Sequence, residues 1–127
     1  MQRILLVDDD PDIREMLTFK LRNAGFETFS EADGESGLAA ARELRPDLLL
    51  LDWMMPGLTG PEVCQRLRED LETADMPIVL LTARAQEADV QLGFATGADD
   101  YISKPFSPRE LVDRVNALLA RLSKSSA

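Results

Sequence analysis

The chain has 127 residues, with 14 lysines and arginines against 23 aspartates and glutamates, which gives a net charge of −9. This length suits one domain, and 45% hydrophobic residues suffice for a core without disulfides or structural zinc. The absence of histidine, with Cys64 as the only cysteine, excludes the usual zinc sites and histidine catalysis, and it favours a cytoplasmic setting. The acidic balance argues against direct binding to nucleic acid or membrane, and the apolar run before Asp8 is too short for a signal peptide.

Short apolar runs alternate along the chain with stretches of helical periodicity. The runs predict strands at 4–7, 28–31, 48–51, 77–81 and 100–103. Helices are predicted at 11–24, 34–44, 61–71, 86–95 and 108–122. Their apolar faces are expected to include Ile13, Met16, Leu17, Leu21 and Ala24 in the first helix, and Val63, Leu67 and Leu71 in the third. This alternation predicts an α/β domain over 1–122, in which a parallel sheet lies between helices, followed by a tail or linker stub at 123–127.

Acidic residues follow two of the predicted strands. Asp8 and Asp9 come directly after the first strand, and Asp52 follows the third. Because the carboxyl ends of parallel strands share one edge of the sheet, we expect these three carboxylates to converge there. Carboxylate oxygens without nearby histidine or cysteine suit a hard cation, and Mg²⁺ is the one that we expect. Asp10 and Asp12 are instead interpreted as cap and turn residues of the first helix.

Two further polar residues stand at strand ends on the same edge. Lys104 follows the fifth strand, where its ammonium group could reach across and neutralise a phosphoryl oxygen, although most loop lysines are simply solvated. Thr82 supplies a hydroxyl after the fourth strand, and Ala83 beside it leaves space next to Asp52. The Lys104–Pro105 bond is of the type at which cis peptides occur, although the sequence alone favours trans.

These motifs together resemble the receiver domains of bacterial two-component response regulators, and the match covers residues 3 to about 122. The motifs that carry the resemblance are Leu6-Val7-Asp8-Asp9, Leu51-Asp52 with Met55-Pro56-Gly57, Leu81-Thr82-Ala83, and Gly97-Ala98-Asp99-Asp100-Tyr101 leading to Lys104-Pro105-Phe106. The resemblance is greatest to the receivers of winged-helix transcriptional regulators. It implies a flavodoxin-like, five-stranded parallel sheet in the order 2-1-3-4-5.

The resemblance implies a role for each residue at the acidic edge. Asp52 would accept a phosphoryl group from the phosphohistidine of a sensor histidine kinase or phosphotransfer protein. Asp9 and Asp52 would bind Mg²⁺ directly together with the backbone carbonyl of Met54, and Asp8 would act mainly through water. Lys104 would pair with the phosphoryl group, as phosphoryl transfer requires cations around the spreading charge.

The resemblance also implies a switch rather than an enzyme that turns over external substrates. Thr82 would move to hydrogen-bond the phosphoryl group, and Tyr101 would turn inward behind it. Phosphorylation would thereby favour an active arrangement of the surface formed by helix four, strand five and helix five. That surface would control an output partner or an effector domain, and any DNA binding would belong to a segment outside these 127 residues. Met54 and Arg84 flank the pocket and are predicted to screen attacking water, and Trp53 could report metal binding by fluorescence.

A phosphorylation-dependent homodimer is a further implication. The receivers of winged-helix regulators dimerise through that same surface, and this chain carries matching candidates in Phe94, Asp99, Asp100, Glu110, Arg114 and Arg121. Val90 stands where a basic residue is expected, and Gln91 and Asp113 stand where apolar residues are usual. We therefore expect this dimer to be weak or absent.

Two other functions remain open at this point. Asp8-Asp9-Asp10 contains the Asp-x-Asp pattern of Mg²⁺-dependent phosphatases of the haloacid dehalogenase type, although Asp12 departs from that pattern and the chain is short for that family. A flavin-binding domain would share the topology, but the loop after its first strand would need small polar residues to cradle phosphate. Turnover of a phosphoester would identify the first alternative, and a coloured preparation the second.

Overall fold

The computed structural model describes residues 1–83 and 97–125, with side chains described as far as residue 122. The strands are β1 (Arg3–Val7), β2 (Glu27–Glu31), β3 (Leu48–Asp52), β4 (Ile78–Thr82) and β5 (Asp100–Ser103). The helices are α1 (Pro11–Asn23), α2 (Gly34–Leu44), α3 (Gly60–Glu69) and the C-terminal helix (Pro108–Ser125). The predicted fourth helix, at 86–95, lies outside the described residues.

All five strands pair in parallel in the order β2-β1-β3-β4-β5, which confirms the predicted topology. Leu6 pairs with Leu50 on β3, and Asp52 pairs with Leu81 on β4. β1, β3 and β4 occupy the centre, so the residues that follow them emerge side by side at one edge of the sheet. β2 and β5 are the edge strands, each paired with a single neighbour in the sheet.

Alternate residues of the central strands belong to two hydrophobic clusters, one on each face of the sheet. Leu48 and Leu50 belong to the cluster that also contains residues of α1 and the C-terminal helix. Leu49 and Leu51 belong to the second cluster, with residues of α2 and α3. Because both faces are covered, the central strands are apolar between their ends. The polar positions are the exposed Arg3, which begins β1, and Asp52 and Thr82, which end β3 and β4.

Helix boundaries follow local capping chemistry. The Asp10 side chain accepts hydrogen bonds from the amides of Asp12 and Ile13, as its interpretation as a cap predicts. Ser107 Oγ accepts a bond from the Glu110 amide at 3.0 Å. Thr59 and Glu62 form a reciprocal capping box at the start of α3, which the sequence analysis missed.

Three expected core positions are wrong. Met16 is 38% exposed on α1, because the buried stripe of that helix runs through Leu17 and Leu21. Leu71 is 95% exposed, because α3 ends at Glu69 and leaves Leu71 in the following turn. Ala24 is also exposed, at the C-terminal cap of α1. Within the described residues, we find no helix that combines the length and apolar character needed to cross a membrane.

Candidate functional site

Three carboxylates meet at the carboxyl edge of the sheet. Asp52 is the last residue of β3, and Asp8 and Asp9 follow β1, its neighbour. One carboxylate oxygen from each lies within 4.8 Å of the others. Asp8 is fully buried, Asp52 is 6% exposed, and Asp9 is exposed to solvent. The structure thus brings together the three residues that the strand ends predicted, and it leaves Asp9 on the open side of the group.

Lys104 directly follows β5, and its side chain reaches this group of carboxylates. Its Nζ donates to Asp8 Oδ2 at 3.2 Å and to Asp52 Oδ1 at 3.1 Å, and its side chain is 21% exposed. The Lys104 amide donates to the Thr82 carbonyl at 2.6 Å, which continues the β4–β5 pairing by one residue. The Lys104–Pro105 peptide is cis. One ammonium group therefore bridges two of the three carboxylates.

Burial and mutual repulsion disturb the titration of this group. Burial is the main cause that raises the pKa of Asp52. The charge of Asp8 adds to it and the nearby Lys104 ammonium opposes it, and the net result is a pKa of about 6. For Lys104, burial acts to lower the pKa, but the charges and hydrogen bonds of Asp52 and Asp8 outweigh it and raise the pKa. Asp52 is therefore mostly ionised at neutral pH, at a cost that its surroundings only partly offset.

The donor set fits a hard divalent cation. Three carboxylates and one ammonium group leave two uncompensated negative charges in a partly buried pocket. Oxygen ligands in this number suit Mg²⁺, which binds through one or two carboxylates and keeps several waters. The residues that could hold it are Asp8, Asp9 and Asp52, and Met54 follows Asp52 in the adjoining loop with its side chain 70% exposed.

The two residues predicted to switch lie on β4 and β5. Thr82 ends β4 and is 4% exposed, and it pairs with Ser103 across the sheet. Tyr101 lies on β5 opposite Leu80 and is half-buried against the hydrophobic cluster of the α2–α3 face. Arg84, predicted to flank the pocket, lies outside the described residues.

Backbone contacts that the sequence analysis missed hold the loops around Asp52 and Asp8. A Cβ on Gly60 would collide with the Asp52 carbonyl oxygen, so the chain can fold back beside Asp52 only with glycine there. The Gly60 amide also donates to the Trp53 carbonyl at 2.9 Å. Arg14 on α1 donates to the Asp8 carbonyl at 2.8 Å. Neither contact has a signal in the sequence, because both acceptors are backbone oxygens.

The predicted dimer interface is described only in part. Phe94, Val90 and Gln91 lie outside the described residues. Arg114 bonds both carboxylate oxygens of Asp100 at 3.2 Å within the same chain. Glu110 and Arg121 are exposed on the C-terminal helix.

Asp99 was expected to belong to the charge set of this interface, and the structure gives its carboxylate a structural role. Its Oδ2 accepts from the Ile78 amide at 2.8 Å and from Arg68 at 3.0 Å. The charge of Asp99 is therefore engaged within the chain, between the beginnings of β4 and β5.

Comparison with known proteins identifies the family. The sequence model of the family described as "Response regulator receiver domain" matches residues 4–116 of this chain. The DNA-binding response regulator MtrA of Mycolicibacterium smegmatis is 57% identical over 120 residues, which cover 94% of this chain and 51% of that protein. The phosphate regulon transcriptional regulatory protein PhoB of Escherichia coli is 48% identical over 122 residues, which cover 96% and 53%. The chain thus spans about half the length of these curated relatives.

Solved structures agree with the sequence relatives. The chemotaxis response regulator CheY4 of Vibrio cholerae superposes with a TM-score of 0.88 at 35% identity, covering 92% of this chain and 98% of that one. The family match leaves the phosphatase alternative without support, and it does not point to a flavin-binding domain either. The resemblance to receivers of transcriptional regulators is confirmed. The chain belongs to the family of response regulator receiver domains of two-component signalling systems.

Proposed function

We propose that Asp52 is the phosphoacceptor of this receiver domain, and that its donor is the phosphohistidine of a sensor histidine kinase or phosphotransfer protein. The observation that carries the proposal is the bridge from Lys104 to Asp52 and Asp8 within a converged carboxylate group. In the reaction an Asp52 carboxylate oxygen forms a bond to phosphorus while the nitrogen–phosphorus bond of the donor breaks. With a pKa of about 6, Asp52 is mostly in the nucleophilic, ionised form at neutral pH.

Lys104 is suited to stabilise the charge of the transferred group. Its Nζ already lies within hydrogen-bond distance of Asp52 Oδ1, so a phosphoryl group on this carboxylate would be close to the ammonium. Because phosphoryl transfer depends on positioning and on cations around the equatorial oxygens, a lysine held in place supports the reaction without reorganisation.

We propose that Asp9, Asp52 and the Met54 carbonyl bind Mg²⁺ directly, and that Asp8 acts through water. The hydrogen bonds of Asp8 support its indirect role, because each of its carboxylate oxygens already accepts a bond. Its Oδ1 accepts from the Asp10 amide and its Oδ2 from Lys104, and its backbone carbonyl accepts from Arg14. Asp9 is exposed and lies on the open side of the group. When bound, Mg²⁺ neutralises the two uncompensated negative charges of the pocket.

We propose that the readout surface includes β5 and the C-terminal helix. Thr82 lies at the carboxyl edge beside the β5 end that carries Lys104, and Tyr101 lies three residues before Lys104. A phosphoryl group that draws the Thr82 hydroxyl inward would favour one arrangement of β5 over another. The output would be an effector domain or a separate partner, and the DNA-binding function in the names of the relatives suggests transcription control. We place the reaction in the cytoplasm, in keeping with a sequence whose single cysteine, Cys64, cannot form a disulfide within these 127 residues.

The test is incubation of the purified chain with acetyl phosphate and Mg²⁺, followed by intact-mass measurement. We expect one phosphoryl adduct that disappears in Asp52→Asn and when EDTA replaces Mg²⁺. The matched control is Asp10→Asn, which removes a carboxylate from the same loop while asparagine keeps the helix cap. It should retain the adduct. An adduct that persists in Asp52→Asn, or none in the wild type, would overturn the proposal.

A further inference from the structure

Arg68, in the last turn of α3, is bonded to acceptors from two other segments of the chain. Its side chain is 20% exposed. The acceptors are the carbonyl of Gly97 at 2.9 Å, those of Met76, Ala74 and Thr73 at 2.7, 3.0 and 3.4 Å, and Asp99 Oδ2 at 3.0 Å. A guanidinium group has five N–H donors in a fixed plane, and this one uses them on the segments that lead into β4 and into β5. One side chain therefore fixes the relative position of three segments.

A second arginine pair nearby shows what an ordinary surface contact looks like in this protein. Arg45 lies 2.6 Å from Glu72, but these two side chains are 57% and 65% exposed. Exposed pairs of this kind contribute little, because water competes for both charges. Removal of Arg68 would instead take a charged donor away from several partly buried carbonyls and from the Asp99 carboxylate, which would keep its bond from the Ile78 amide. The Arg68 contacts thus constrain the backbone in a way that the Arg45 pair does not.

Asp99 connects Arg68 to the register of the edge strand. Its amide donates to the Ile78 carbonyl at 2.8 Å, and its Oδ2 accepts from the Ile78 amide at 2.8 Å. These two bonds start the pairing of β5 with β4. At the other end of the strand the Lys104 amide donates to the Thr82 carbonyl. β5 has four residues and one neighbouring strand, so these end contacts extend a short run of pairing with β4.

We propose that Arg68 is a positioning residue for the phosphoacceptor site, which acts by fixing the beginning of β5 and thereby the place at which Lys104 meets Asp52. This inference rests on the proposed role of Asp52 and extends it to a residue of α3 that lies beside the opposite end of β5. The reaction requires the Lys104 ammonium to lie close to the transferred phosphoryl group. A displacement of β5 along β4 would move Lys104 and so reduce the rate of phosphorylation, although every reacting group would still be present.

The test compares Arg68→Gln and Arg68→Lys with Arg45→Gln, which breaks the exposed pair and is the matched control. Phosphorylation by acetyl phosphate is followed at a temperature at which circular dichroism shows every variant folded. We expect Arg68→Gln to slow phosphorylation by about 10-fold, since small displacements of reacting groups have effects of this size or more. Arg68→Lys, which keeps a charge for Asp99 but loses the planar set of donors, should fall between Arg68→Gln and wild type, and Arg45→Gln should match wild type.

Amide hydrogen exchange gives a second readout, independent of the chemistry. In Arg68→Gln the amides of Tyr101, Ile102 and Lys104 should exchange faster, while those of β1 and β3 stay protected. A variant with a lower melting temperature but wild-type phosphorylation and wild-type exchange in β5 would make Arg68 a stability residue only and overturn the inference. If the wild type takes up no phosphoryl group, the proposed function fails, and unchanged exchange in β5 would separately refute the positioning role.

Discussion

Lys104 and Arg68 are two cations of nearly equal burial, with side chains 21% and 20% exposed, associated with opposite ends of β5. Arg68 contacts one carboxylate and several backbone carbonyls, so its surroundings are close to electrically balanced. Lys104 contacts two carboxylates, and a third lies within reach of both. The difference teaches that burial alone does not mark a functional cation. A functional cation is marked instead by more negative charge around it than it can neutralise, because the excess negative charge destabilises the fold unless a ligand compensates it.

The largest expected effect comes from removing the cation at the unbalanced end. Lys104→Gln leaves Asp8 and Asp52 facing each other without a counter-charge. We expect the metal-free protein to lose roughly 2–3 kcal/mol of unfolding free energy at pH 7, since loss of one partner of a buried pair is costly and this one is partly screened by solvent. Urea denaturation in EDTA measures the change. Wild-type stability in this variant would mean that the carboxylates are not strongly coupled to Lys104.

The opposite sign is expected when a carboxylate is removed instead. Asp52 has a pKa raised from 3.8 to about 6, so the folded state binds its proton more tightly than the unfolded state. Below pH 3.8 the group is protonated in both states and costs nothing. The cost grows as pH rises through this range and is complete above about 6.

Asp52→Asn should therefore stabilise the metal-free protein by roughly 1–3 kcal/mol at pH 7, since each unit of pKa shift is worth about 1.4 kcal/mol and Lys104 loses a partner in exchange. The gain should vanish towards pH 4. Thermal unfolding in EDTA at both pH values is the measurement, with Asp10→Asn as the control. An equal gain at both pH values would show that ionisation of Asp52 is not its cause.

The smallest effect concerns the exposed member of the carboxylate group. Mg²⁺ should raise the melting temperature of the wild type, because a ligand that binds the folded state stabilises it by mass action. In Asp9→Asn this rise should be smaller at the same Mg²⁺ concentration, while the melting temperature in EDTA changes little because Asp9 is exposed. Titration of Trp53 fluorescence with Mg²⁺ gives the affinity directly. An unchanged affinity would remove Asp9 from the ligand set.

How far the sequence predicts this molecule depends on the kind of contact. The convergence of Asp8, Asp52 and Lys104 follows from strand ends, because parallel order and apolar runs fix where those residues emerge. The contacts of Arg68 could not be predicted, because most of its partners are backbone carbonyls, which every residue has. The contacts of Asp99 with Arg68 and Ile78 could not be predicted either, because a motif identifies a residue type but not the direction of its side chain. Met16 and Leu71 were misplaced because periodicity does not report where a helix ends or how wide its buried stripe is.

The contact between Gly60 and the Asp52 carbonyl has a consequence for protein engineering. An exchanged surface side chain can usually adopt another rotamer to avoid a collision. Position 60 offers no such freedom, because the neighbour is the backbone of the acceptor residue itself. Any library that varies the loop between Asp52 and α3 should hold Gly60 constant, and a chimera that joins two receivers within this loop should take both residues from the same parent.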